Sequence, residues 1–216
     1  PSRITSTNTR ASTVRSPSVA SLSQATLWAD SAAVQSHNPT SMEEKLRKIK
    51  AFAFDVDGVL TDGGLFADLN GEFYRVFDAK DGMALRMASM QGYGLCIITG
   101  GRSQSITRRF IASGIKEEDI YLGSRDKMEQ FTDYCTRHSL APEEVMYFGD
   151  DLPDIPVMAA CGCGACPCDA VDEVLAMADL ITNKPGGKGC VREAVSSVMK
   201  LQGKWNLNTE DYKKKF

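Results

Sequence analysis

The chain has no run of about 18 apolar residues, so no transmembrane helix is expected. It lacks a basic excess: 25 Lys and Arg stand against 28 Asp and Glu, a net charge of −3. Phosphate-backbone binding needs a basic surface, so a nucleic-acid partner is not expected. It is poor in histidine; His37 and His138 stand alone and suggest no site. No secretory signal is visible. The seven cysteines are odd in number and irregularly spaced, which argues against a secreted disulfide scaffold and for reduced thiols in a cytosol-like compartment. What is present, 216 residues at 43% hydrophobic, suffices for one globular domain with a sizeable core.

Residues 1–41 differ from the rest. They are rich in Ser and Thr, carry Arg3, Arg10 and Arg15, and have Asp30 as their only acid. Such a segment cannot bury enough apolar surface to offset its ordering entropy, so a disordered extension or linker is expected. Its composition also fits the remnant of an organellar transit peptide. The expected compartment is therefore cytoplasmic, or organellar if 1–41 is such a peptide. A start at Pro1 without Met suggests a longer precursor. The expected division is 1–41 as extension, 42–205 as the folded domain and 206–216 as a C-terminal tail.

From Met42 on, short apolar runs alternate with helical stretches. Ala51-Phe52-Ala53-Phe54 reads as a buried strand ending at Asp55. Leu65 to Phe77, broken by Asn70-Gly71, reads as a hairpin. Asp81 is expected to cap a helix reaching about Gln91. Further strands are expected at Gly94–Thr99, 120–122, Val145–Phe148, Cys163–Cys166 and Leu180-Ile181. Helices are expected at Ser103–Ser113, Lys127–Ser139, after Pro153, near Val171–Met177 and at about Val191–Leu201. Strands alternating with helices predict an α/β fold, a parallel sheet covered on both faces. Such sheets bind ligands beyond the carboxyl ends of their strands, near a switch point.

Three polar clusters fall at such ends. Asp55-Val56-Asp57-Gly58-Val59 puts two carboxylates directly after an apolar strand, where they are costly unless paired or metal-bound. One can attack phosphorus, and the other can pass a proton to the leaving oxygen and later take one from water. Thr99-Gly100 offers a hydroxyl and a backbone N–H to a phosphate oxygen. Lys127 can hold a nucleophile and a phosphoryl group together. Gly149-Asp150-Asp151-Leu152-Pro153-Asp154 supplies three more acids. Mg²⁺ favours oxygen ligands, and Asp55, Asp150 and a backbone carbonyl can supply the protein's share.

In order, these segments resemble the four motifs of the haloacid dehalogenase superfamily of phosphatases. The likeness narrows with Phe54 to Asp62, the hairpin, Lys80-Asp81-Gly82, Ile97 to Gly100, Gly149 to Asp154, Gly186-Gly187-Lys188-Gly189 and Val191-Arg192-Glu193. Together these resemble the 3-deoxy-D-manno-octulosonate 8-phosphate phosphatase family and its nonulosonate 9-phosphate phosphatase relatives. The resemblance implies a three-layer Rossmann-like sheet with a small β-hairpin flap and no cap domain, since only about 20 residues separate Asp62 from Gly82. It implies a homotetramer in which hairpin and C-terminal tail help close a neighbour's site; deletion of the residues after Gly186 is expected to hurt catalysis without unfolding the sheet. It implies Mg²⁺ as cofactor and a small phosphorylated sugar acid as substrate. Asp55 is then nucleophile and metal ligand, Asp57 general acid/base and, through its carbonyl, a second ligand, and Asp150 the third. Thr99, Gly100 and Lys127 bind phosphate, and Asp151 and Asp154 orient the metal shell. Lys80 and Arg192 lie on the substrate side, and the resemblance implies that Arg192 and the glycines at 186, 187 and 189 reach a neighbouring subunit's site.

The departures concern substrate-side positions. Many octulosonate-phosphate members carry Arg where Lys80 stands, and Thr-Gly-Arg where Thr99-Gly100-Gly101 stands, with Arg102 here one place later. Two other readings follow: a phosphatase of a nonulosonate 9-phosphate, or an idle tetramerisation module like that of animal sialate-activating enzymes. Cys161, Cys163, Cys166 and Cys168 lack the paired-knuckle spacing of a zinc ribbon and read as small apolar residues.

Overall fold

The computed structural model describes residues 39–216. The expected extension, 1–41, lies almost wholly outside the described residues. The first helix, α1 (Pro39–Lys48), begins just before the anticipated domain start. It leads into β1 (Ala51–Phe54), whose four residues are all buried.

The central sheet is parallel and six-stranded. Beside β1 it contains β4 (Gly94–Ile98), β5 (Ile120–Tyr121), β6 (Val145–Phe148), β7 (Cys163–Cys166) and β8 (Leu180–Ile181), in the order β5-β4-β1-β6-β7-β8. Every neighbouring pair is parallel. The chain winds outward from β1 through β4 to β5, then returns to the other side of β1 with β6. That reversal makes the carboxyl end of β1 the switch point, where the helix-bearing loops diverge and leave a crevice.

Because both faces are covered, the strands are continuously apolar rather than alternating. On one face, Phe52, Phe54, Ile97 and Phe148 pack against α2 (Ala79–Met90), α3 (Gln104–Ile111) and α7 (Cys190–Leu201). On the other, Ala53, Ile98 and Tyr147 pack against α4 (Lys127–His138), α5 (Ile155–Ala160) and α6 (Asp172–Leu175). These are the three layers of the expected α/β fold.

The flap is a two-stranded antiparallel hairpin, β2 (Phe66–Ala67) with β3 (Phe73–Tyr74). Asp68 closes it: its N–H donates to the Glu72 carbonyl at 3.0 Å, and its carboxylate accepts from the N–H groups of Asn70 and Glu72. Gly71 takes φ +82°, which explains the Asn-Gly signal. No cap domain intervenes between β1 and α2.

Two expectations change. Asp81 does not cap α2; Asp78 does, accepting from the N–H groups of Lys80 and Asp81. Asp81 instead turns inward and caps α7, accepting from Gly189 N at 3.1 Å and Arg192 N at 2.7 Å. Nor are the residues after Gly186 dispensable for the sheet, because α7 contributes Val191, Val195, Val198 and Met199 to the core. The last helix, α8 (Thr209–Lys215), lies on its own chain, where Arg86 donates to the Tyr212 hydroxyl and Lys215 to Ser89.

Candidate active site

Asp55 follows directly on strand β1, and its N–H still donates to the Phe148 carbonyl of β6, so the carboxylate is fixed at the seam of the two central strands. Beyond it the chain folds back tightly. Thr61 holds that loop, its hydroxyl oxygen accepting from Gly58 N and Gly63 N. Gly58 is needed twice over: its φ is +91°, and a Cβ there would lie 1.9 Å from Asp150 Oδ2.

Asp150 arrives from the end of β6. Asp55, Asp150 and Asp154 present carboxylate oxygens within 4.8 Å of one another, the one such grouping among the described residues. Lys127, from the first turn of α4, sits in it with Nζ 3.1 Å from Asp55 and 2.6 Å from Asp154, and is itself buried. Asp154 is fully committed to protein partners. Its Oδ1 accepts from Lys127 and from the Tyr147 hydroxyl, both at 2.6 Å, and its Oδ2 accepts from the N–H groups of Asp150 and Asp151. It therefore fixes Lys127 and the Asp150 loop rather than offering itself to a ligand.

The electrostatics are unbalanced. Three carboxylates face one ammonium, a formal excess of two negative charges when all are ionised, which burial makes costly. Burial, with Asp154 nearby, raises the Asp55 titration despite Lys127. Burial and the charge of Asp55 push Asp150 up to about 8. Burial works against the Lys127 charge, but Asp55 and Asp154 outweigh it and hold the ammonium above its ordinary range. Asp150 Oδ1 is buried with no hydrogen-bond partner. A buried, unpartnered carboxylate oxygen in an anionic cluster fits a divalent, oxygen-seeking cation such as Mg²⁺.

Strand β4 delivers the remaining piece. Thr99 is buried; its hydroxyl accepts from Gly101 N, and its carbonyl accepts from Ser124 N, tying this turn to the segment that leads to Lys127. Gly100 is exposed at the tip. Asp57 is held by Arg75, which donates from Nε at 2.6 Å and from Nη2 at 2.8 Å.

Sequence comparisons agree with this geometry. Residues 103–192 match the family model for haloacid dehalogenase-like hydrolases. Over 165 residues the chain is 36% identical to the 3-deoxy-D-manno-octulosonate 8-phosphate phosphatase of Salmonella typhi, covering 76% of this chain and 87% of that one. The chain belongs to the 3-deoxy-D-manno-octulosonate 8-phosphate phosphatase family of the haloacid dehalogenase superfamily. It is a phosphoric monoester hydrolase of the haloacid dehalogenase type. Solved structures of the family superpose well. The Yersinia pestis phosphatase gives a TM-score of 0.73 at 32% identity, covering 76% of this chain and 88% of its own. The Moraxella catarrhalis phosphatase, solved with a magnesium ion, a phosphate ion and a KDO molecule, gives 0.73 at 32% identity over 77% and 94%.

Within this family member, Asp55, Lys127, Asp150 and Asp154 come together as the sequence suggested. Asp151 does not join them: it is exposed and its carboxylate accepts from Leu152 N, capping the turn. Lys80 is exposed, held only through its backbone N–H. Arg192 lies over Trp205 of its own chain, 5.3 Å from the ring centroid. Gly186 and Gly187 press on their own catalytic loop, where a Cβ on Gly186 would lie 1.8 Å from the Gly58 carbonyl. Arg102, with Arg108 and Glu72, lines a groove of about 380 Å³ between the hairpin and α3. The cysteines are free and Cys163 and Cys166 are buried; burial pushes the Cys166 thiol up to about 12. Arg75, Tyr147 and Thr61 escaped the sequence reading. No local signal marks a partner 18 residues away, or a strand tyrosine whose hydroxyl orients an aspartate.

Proposed function

We propose that this chain is a Mg²⁺-dependent phosphatase that hydrolyses the phosphate monoester of a 3-deoxy-2-keto sugar acid, 3-deoxy-D-manno-octulosonate 8-phosphate to the free sugar acid and phosphate, through an aspartyl-phosphate intermediate. The observation that carries the reading is Asp55 at the tip of β1, bridged by Lys127 to Asp154 and facing the unpartnered oxygen of Asp150. Asp55, Asp150 and the Asp57 carbonyl would hold the ion, which when bound lessens the repulsion between an anionic nucleophile and an anionic phosphate.

The chain's own residues do the rest. Asp55 attacks phosphorus while Lys127 neutralises charge on the transferring group. The Thr99 hydroxyl and Gly100 N–H seat the phosphate oxygens. Asp57 gives a proton to the leaving sugar oxygen, then takes one from the water that opens the acyl phosphate. Arg102 and Arg108 in the neighbouring groove offer guanidinium groups to a carboxylated sugar. A homotetramer belongs to the same reading. It is favoured by a hairpin that exposes Phe66, Leu69 and Val76, an apolar patch of the kind that marks interfaces. No helix among the described residues is long and apolar enough to cross a membrane, and a cytoplasmic location is part of the proposal.

A panel of octulosonate 8-phosphate, nonulosonate 9-phosphates and hexose phosphates tests the assignment. The highest kcat/KM is expected for octulosonate 8-phosphate. Equal values across the panel would remove the sugar-acid assignment, and a preference for the nonulosonates would move it to the relatives. Absence of turnover on every ester would leave an idle assembly module.

A further inference from the structure

The hairpin is exposed along most of its length, yet one of its residues turns inward. Tyr74 and Val76 are 55% and 73% exposed, whereas the Arg75 side chain between them is only 4% exposed. Its guanidinium meets Asp57 with two parallel donors and gives a third hydrogen from Nη1 to the Phe73 carbonyl at 3.3 Å. An arginine has five N–H donors, so one on each Nη is left over.

The second neighbour of this guanidinium is the turn after β4. A Cβ on Gly101 would lie 3.0 Å from Arg75 Nη2. The guanidinium, with Ile106 Cδ1 at 2.8 Å and Thr99 Oγ1 at 3.4 Å, therefore closes around the position that a side chain at 101 would take. One cation thus stands between the carboxylate beside the nucleophile and the turn that seats a phosphate.

We infer that Arg75 is a further phosphate-binding residue of this site, holding Asp57 in place with one edge of its guanidinium while its remaining N–H groups bind a phosphoryl oxygen at the Thr99–Gly101 turn. The inference rests on the phosphatase reading above and adds its substrate-side cation. A planar, bidentate donor suits both tasks in a way a lysine ammonium does not. It also ties the flap to the chemistry, because the residue follows directly on β3.

The test compares wild type, Arg75→Ala and Arg75→Lys with Mg²⁺, using octulosonate 8-phosphate, p-nitrophenyl phosphate and inorganic phosphate as inhibitor. Arg75→Ala is expected to lose about 10²–10³ in kcat/KM on both esters, as when one transition-state donor is removed. Its inhibition by inorganic phosphate should weaken at least about tenfold, in line with a lost charge-assisted hydrogen bond. Free guanidinium ion should restore part of the rate. Arg75→Lys should keep more of the phosphate affinity than of kcat. Wild-type kcat/KM and phosphate inhibition in Arg75→Ala would overturn the inference. If Arg75→Ala fails to fold, wild-type kcat in Arg75→Lys would overturn it. If wild type cleaves no ester, the phosphatase reading fails separately. Calorimetric binding of inorganic phosphate to wild type and variant then decides, with equal affinity refuting a role for Arg75.

Discussion

Lowering the pH from 8 to 6 should weaken Mg²⁺ binding about fifty-fold. Asp150 is pushed up to about 8 by burial and by the charge of Asp55, so protons compete with the ion for its carboxylate. The sign follows directly: the ion needs Asp150 ionised, and the metal-free protein keeps it protonated below that value. The competition factor for one group is about 2 at pH 8 and about 100 at pH 6, a ratio worth about 2.3 kcal/mol. The raised titration of Asp55 works in the same direction, so the factor is a floor. Calorimetry on EDTA-stripped protein at pH 6, 7 and 8, in buffers of different ionisation enthalpy, measures both affinity and protons released. At pH 6 at least about one proton should leave per ion bound, and at pH 8 about half of one from Asp150. Equal affinity at pH 6 and 8, with no proton release, would refute the reasoning.

Other residues give sharper single-site outcomes. Asp154→Ala strips Lys127 and the Tyr147 hydroxyl of a shared acceptor; it should cut kcat at least about tenfold and cost about 3 kcal/mol in urea unfolding, as breaking a buried pair does. Gly58→Ala forces a methyl onto Asp150 at a positive φ; a strain of about 1–2 kcal/mol and a marked loss of Mg²⁺ affinity are expected, read by melting and metal titration. Asp81 is raised to about 6, chiefly by burial, so its contribution to stability is full below about pH 4 and is lost as the pH rises through 6. Asp81→Asn should flatten that segment of the stability–pH curve, and an unchanged slope would assign it elsewhere.

Much of the fold was legible because local chemistry and tertiary context agree here. The Ala51–Phe54 run, buried on both faces, could be little other than a central strand, and Asn70-Gly71 marked the hairpin. Asp55 and Asp150 were legible because one follows directly on the apolar run Ala51–Phe54 and the other comes two residues after the apolar run Val145–Phe148. What escaped was decided by distance in the chain. Asp81 looked like a cap and is one, but of a helix more than a hundred residues on. Asp151 shares a motif with Asp150, yet one step along the turn reverses its side chain toward solvent. Arg75 sits in a stretch that reads as surface hairpin, and only the folded chain turns it onto Asp57.

The central claim is that Asp55 carries the phosphoryl group. Phosphate release from octulosonate 8-phosphate, measured with Mg²⁺ for wild type and Asp55→Asn at matched folding, tests it most directly. The account predicts turnover by wild type and none above background by Asp55→Asn. Substantial release by the variant would contradict it.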